Sequence, residues 1–70
     1  SSVAVGYNST ATGVVSTATG TGSSATGYNS TAIGGYANAS NTYAVAVGAA
    51  SNAYGFFSTA VGYASQANNS

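Results

Sequence analysis

Residues 44–62 read Ala44-Val45-Ala46-Val47-Gly48-Ala49-Ala50-Ser51-Asn52-Ala53-Tyr54-Gly55-Phe56-Phe57-Ser58-Thr59-Ala60-Val61-Gly62. An alanine stands two places before each of Gly48, Gly55 and Gly62, and these glycines are seven apart. The same spacing runs outward through the chain. Glycine also occupies 6, 13, 20, 27 and 34, Asn41 fills the one gap, and Asn69 holds the next place after Gly62. Alanine is found at 4, 11, 18, 25, 32, 39, 46, 53, 60 and 67 without exception. The chain is thus one seven-residue unit, x-x-Ser/Ala-x-Ala-x-Gly, written ten times. Repetition this strict sets the architecture ahead of local propensity. It also places function on a repeated surface rather than in one buried site.

A period of seven raises the coiled coil first, and the residues reject it. A glycine in every heptad would cost about 1 kcal/mol each relative to alanine in a helix. Leucine is absent, as are the charged positions that flank a coiled-coil seam. Val, Ile, Thr, Tyr and Phe favour strands. Each unit reads as a five-residue strand followed by a turn, with Gly, or Asn in its place, at a left-handed turn position.

Strand side chains alternate between faces. In every unit the Ser/Ala and the constant Ala share one face, and the residues between and just after them share the other. Alternate units carry the outward pairs Val3/Val5, Thr17/Thr19, Thr31/Ile33, Val45/Val47 and Thr59/Val61. The units between carry Thr10/Thr12, Ser24/Thr26, Asn38/Ser40, Asn52/Tyr54 and Gln66/Asn68. The first set is β-branched and largely apolar, the second almost wholly polar. The true period is therefore fourteen residues with two strands per coil, and residues 1–70 make one all-β segment of five coils. This pattern predicts a narrow parallel β-roll whose two sheets meet through Ala and Ser. The polar sheet faces water. The Val/Thr/Ile sheet is an exposed apolar face in a single chain, and such faces mark interfaces.

Composition removes most chemistry. The chain has no Lys, Arg, Asp, Glu, His or Cys. General acid–base catalysis needs a group titrating near neutral pH, and a Ser or Thr nucleophile needs a neighbouring base. Metal sites draw on thiolate, imidazole or carboxylate ligands. Nucleic-acid binding needs cations to meet phosphate. The expectation is a protein that is no enzyme, holds no cofactor or metal, and binds no nucleic acid. No apolar run reaches membrane-span length, so this segment is not expected to insert directly in a bilayer. A buried alanine methyl contributes only ~0.8 kcal/mol, less than the ~1–2 kcal/mol that ordering one residue's backbone costs. The fold must draw on dense backbone hydrogen bonding and on a partner surface. The chain begins with Ser1, lacks Met, and starts and stops inside the repeat. It reads as a fragment or processed product of a longer fibrous surface protein.

Four segments carry a family resemblance: Ser2-Val3-Ala4-Val5-Gly6, Ser30-Thr31-Ala32-Ile33-Gly34, Ala44-Val45-Ala46-Val47-Gly48 and Ser58-Thr59-Ala60-Val61-Gly62. They resemble the SVAIG motif of YadA-like head repeats, found in trimeric autotransporter adhesins of Gram-negative bacteria. The intervening units, such as Asn8 to Gly13, fit the same alternation, so the resemblance spans the chain. It implies a left-handed parallel β-roll assembled as a homotrimer, with the SVAIG strands facing the three-fold axis. It implies an extracellular adhesin head, on a parent anchored in the bacterial outer membrane, that binds a host matrix protein, cell surface or glycan. The axial column then holds Val3, Val5, Thr17, Thr19, Thr31, Ile33, Val45, Val47, Thr59 and Val61. Thr17 and Thr19 depart from the motif and put a polar rung there. Similar repeats occur in phage-type fibre proteins, which keeps a structural fibre segment as an alternative.

Several features admit two readings. Tyr7, Tyr28, Tyr36, Tyr43, Tyr63, Phe56 and Phe57 fall at turns. Exposed aromatics offer contact area for a ligand, but packing at the corners of the roll or against a neighbouring subunit is the stronger reading. Tyr54 lies instead in the polar outer set, and with Asn38, Asn52 and Gln66 it makes a candidate ligand strip. The Thr10–Thr12 and Thr17–Thr19 triplets are similar to ice-binding β-solenoid ladders. They fall on opposite sheets and neither ladder continues, so ordinary strand propensity explains them better. Asn8-Ser9-Thr10, Asn29-Ser30-Thr31, Asn38-Ala39-Ser40 and Asn68-Asn69-Ser70 match the N-glycosylation pattern. In this composition such matches arise readily, and Asn is a natural turn residue. Uncharged low complexity also suits cross-β stacking, but the two-faced period specifies a register that cross-β does not need.

Overall fold

Every fourteen residues the chain returns above itself. The computed structural model describes residues 2–68 and contains ten strands. Five form one sheet: β1 (Val3–Val5), β3 (Thr17–Thr19), β5 (Thr31–Ile33), β7 (Val45–Val47) and β9 (Thr59–Val61). The other five form a second sheet: β2 (Thr10–Ala11), β4 (Ser24–Ala25), β6 (Asn38–Ala39), β8 (Asn52–Ala53) and β10 (Gln66–Ala67). All pairings are parallel, and each residue pairs with the one fourteen places on, as in Val3 with Thr17 and Asn38 with Asn52. The expected parallel β-roll of five two-stranded coils is what the chain forms. Among the described residues there is no helix.

The strands are shorter than five residues because the chain bends early. In the second sheet the carbonyls of Ala25, Ala39 and Ala67 each accept from two successive N–H groups, for example those of Thr12 (3.1 Å) and Gly13 (3.4 Å). At β2, β4 and β8 two donors on one acceptor turn the chain off the ladder, leaving two-residue strands. In the first sheet the ladder runs on into the turn, as in the Gly20 N–H to the Val5 carbonyl at 2.8 Å.

Alanine and serine fill the interior. Ala18, Ala25, Ala32, Ala39, Ala46 and Ala53 are fully buried, and Ser16, Ser23, Ser30, Ser51 and Ser58 lie beside them. Facing strands of the two sheets approach within 8 Å, Cα to Cα, closer than the ~10 Å of ordinary packed sheets. Only side chains this small permit that spacing. Most of the serines have a second task. The hydroxyls of Ser9, Ser16, Ser23, Ser51, Ser58 and Ser65 each donate to the carbonyl three residues back, at 2.6–3.0 Å. Serine therefore closes the turn it follows while entering the core.

The turns correct one expectation. The left-handed residue is the second after the repeat glycine: Asn8, Val15, Gly22, Asn29, Tyr36, Tyr43, Ala50, Phe57 and Ala64 have φ between 55° and 70°. It is the third residue of a four-residue turn, a position that favours Gly or Asn in type II turns. The glycines themselves serve two other needs. Gly34, in the turn out of the first sheet, has φ +124°, and a Cβ there would lie 2.7 Å from the Gly48 backbone. Gly27, on the opposite edge, lacks a positive φ, but a Cβ would run into the Asn41 carbonyl. Asn41 stands in that second column and is not left-handed either. Its neighbours in the column, Gly27 and Gly55, bond through their N–H groups to Ala39 and Ala67. Asn41 instead reaches out with its Nδ2 to the Tyr54 carbonyl at 2.9 Å. Asn69 and the sequon it belongs to extend outside the described residues.

Candidate interaction surfaces

The roll is a thin slab, 27 × 23 × 11 Å, and its described residues form no pocket. It presents two broad faces and two edges.

The first sheet presents two outward columns held in register by parallel pairing. One runs Val3, Thr17, Thr31, Val45, Thr59 and the other Val5, Thr19, Ile33, Val47, Val61. These are the ten residues expected at an interface. Val3, Val5, Ile33 and Val61 are each 41–65 % exposed, and Val45 and Val47 are half-buried. A flat β-branched face this open to water is an unsatisfied surface. The Thr17/Thr19 pair forms one polar rung between β1 and β5.

The second sheet stacks Thr10, Ser24, Asn38, Asn52 and Gln66 in one column. Asn38, Asn52 and Gln66 of the candidate strip are thus neighbours, and Tyr54 lies one column over. The Tyr54 hydroxyl donates to Asn52 Oδ1 at 3.3 Å, and Asn52 Nδ2 to the Ala50 carbonyl at 3.4 Å. This face is polar and already partly bonded to itself. The two threonine triplets do sit on opposite sheets, and the Thr17–Thr31 column is interrupted by Val45.

The structure separates the turn aromatics onto two unlike edges, which reading them together as turn residues does not do. The edge leading from the second sheet to the first carries Val14, Val15, Tyr28, Tyr43, Phe56 and Phe57, all exposed. Tyr28 meets Tyr43 edge to face at 5.9 Å, and Tyr43 stacks on Phe57 at 5.0 Å and 10°. Successive turns are bonded to one another through the backbone, as in Tyr43 N–H to the Tyr28 carbonyl at 2.8 Å. The opposite edge is built mainly from small residues, among them Thr21, Gly22, Gly35, Ala49, Ala50 and Ala64. Tyr7, Tyr36 and Tyr63 project from it, at 77 %, 70 % and 83 % exposed, with the Tyr36 ring beside Gly22. The signal for this division was the fourteen-residue period itself, applied to turns as well as strands.

These features agree with one comparison among known proteins. The family model described as YadA head domain repeat (2 copies) matches residues 1–23, 25–51 and 53–70. No curated protein gives a match. A strict fourteen-residue roll with a β-branched sheet and an alanine–serine interior, matched over nearly its whole length, is an adhesin-type repeat segment, and the chain belongs to the YadA head domain repeat family.

Proposed function

We propose that the chain is a head segment of an extracellular adhesin, a left-handed roll that closes as a homotrimer and attaches its bearer to a host matrix protein, cell surface or glycan. The observation that carries this reading is the open Val/Ile/Thr face, continuous over five strands and exposed in the single chain. Closing three copies around an axis buries that face in each, from Val3 and Val5 at one end to Thr59 and Val61 at the other. The polar sheet then points outward, with Asn38, Asn52, Tyr54 and Gln66 as the ligand strip. Three stiff copies present the same weak contacts repeatedly, so attachment works by avidity. Catalysis has no part in this reading, since the side chains supply no acid, base or activated nucleophile. The parent protein sits at the bacterial outer membrane and carries this segment clear of it.

The test is adhesion. Beads coated with the chain are expected to be retained on collagen, fibronectin or cultured cells above uncoated beads. Stable assemblies that stick to none of these would point to an inert fibre segment. Thermal hysteresis in freezing solutions would point to ice binding.

A further inference from the structure

We propose that the aromatic edge of one subunit, built on Tyr28, Tyr43 and Phe57, packs against the small-residue edge of the next at Gly35, Ala49 and Ala50. This inference rests on the cyclic assembly proposed above and says how it closes.

Area makes the first argument. Three-residue strands stacked five deep cover about 10 Å by 24 Å, or roughly 240 Å² of flat sheet. Even doubled for side-chain relief, this falls short of the ~800 Å² per partner that a stable interface buries. The contact must spread from the sheet onto an edge. Symmetry makes the second argument. Around a cyclic axis each contact is heterologous, joining one patch to a different patch on the neighbour. With the first sheets facing the axis, one edge of each roll meets the opposite edge of the next. Here the two edges differ: the ladder of Tyr28, Tyr43 and Phe57 stands on one, while on the other Ala49 and Ala50 form a small-residue gap between the exposed Tyr36 and Tyr63. Phe56 and Ala49 belong to the same coil.

The rings are also prepared for packing rather than for a sugar. Tyr43 and Phe57 are stacked nearly parallel, so each covers one face of the other. A pyranose needs an open ring face. Rings already held by each other lose little freedom on contact. Neither edge carries a charge, so burial desolvates no ion.

The chain has no cysteine, which makes the test clean. The double variant Phe56→Cys/Ala49→Cys leaves the three-ring ladder intact and alters two exposed positions. The two sites lie on opposite edges of one roll, and a link within one chain would leave the mass of a single chain on the gel. A short bismaleimide, read on a denaturing gel beside light scattering of the native protein, is expected to give covalent dimers and trimers with the double variant and none with either single variant. Val47→Cys, on the sheet face, serves as the control that joins subunits whichever edge is used. Trimer mass with linkage through Cys at 47 but not through 49 and 56 would overturn the edge contact and leave the trimer standing. A monomer mass for the unmodified chain would overturn both.

Discussion

At the scale of single residues, the third position of each turn is where sequence and backbone disagree most. Val15 holds φ 57°, a region costing a side chain with Cβ roughly 1–2 kcal/mol, and a β-branched one is an outlier there. Val15→Asn is therefore expected to raise the melting temperature by a few degrees, since ~1 kcal/mol shifts a domain this small by about 4–8 °C. A fall in calorimetry would mean that the valine methyls make contacts worth more than the strain. Ser30 offers a second comparison. Its Oγ is buried with no hydrogen-bond partner, whereas Ser16 Oγ donates to the Gly13 carbonyl at 2.6 Å. An unsatisfied buried hydroxyl costs about 1–3 kcal/mol. Ser30→Ala is expected to leave stability unchanged or raise it, and Ser16→Ala to lower it by ~1 kcal/mol. Equal losses on thermal unfolding would show that both hydroxyls are satisfied in solution.

At the scale of elements, the two faces of each strand set the tolerance to change. Ala46 is fully buried between closely spaced sheets, so Ala46→Leu is expected to cost at least ~3 kcal/mol, the upper end of ordinary overpacking. Asn52→Asp on the polar face is expected to cost under about 1 kcal/mol. Chemical denaturation of the two variants checks the ranking, and similar losses would contradict the assignment of faces. The faces were legible in the sequence because strand alternation and a fourteen-residue period leave only one way to fold the outward pairs Val45/Val47 and Asn52/Tyr54. The turns were less so. The left-handed position holds Asn, Val, Gly, Tyr, Ala and Phe with no common chemistry, because hydrogen bonds on both sides impose its conformation. The repeat glycine drew attention instead, yet at Gly27 it answers to a neighbouring carbonyl rather than to φ. Asn41 reads as a turn substitute, but its place depends on an amide reaching Tyr54 in the next coil. Such a contact follows from the stacking and from no local signal. The division of the aromatics between edges was present in the period but emerges only when the turns are stacked.

At the scale of the molecule, a slab 11 Å thick has almost no interior beyond alanine and serine. Its stability rests on backbone ladders that run through strands and turns alike, and in the proposed assembly also on covering the Val/Ile/Thr face. Val47→Asp puts a charge in the middle of that face, where burial without a partner is prohibitive. It is expected to reduce the assembled mass to that of a single chain, while Asn52→Asp leaves it unchanged. Size-exclusion chromatography on both variants reads this directly, and identical elution would mean that the wrong sheet has been placed inward. The most direct measurement is the solution mass of the unmodified chain by multi-angle light scattering. Three times the 6.6 kDa chain mass is the expected result and makes the β-branched sheet an interface. A soluble particle of one chain mass would contradict it, leaving that sheet open to water and the adhesin reading without its assembly.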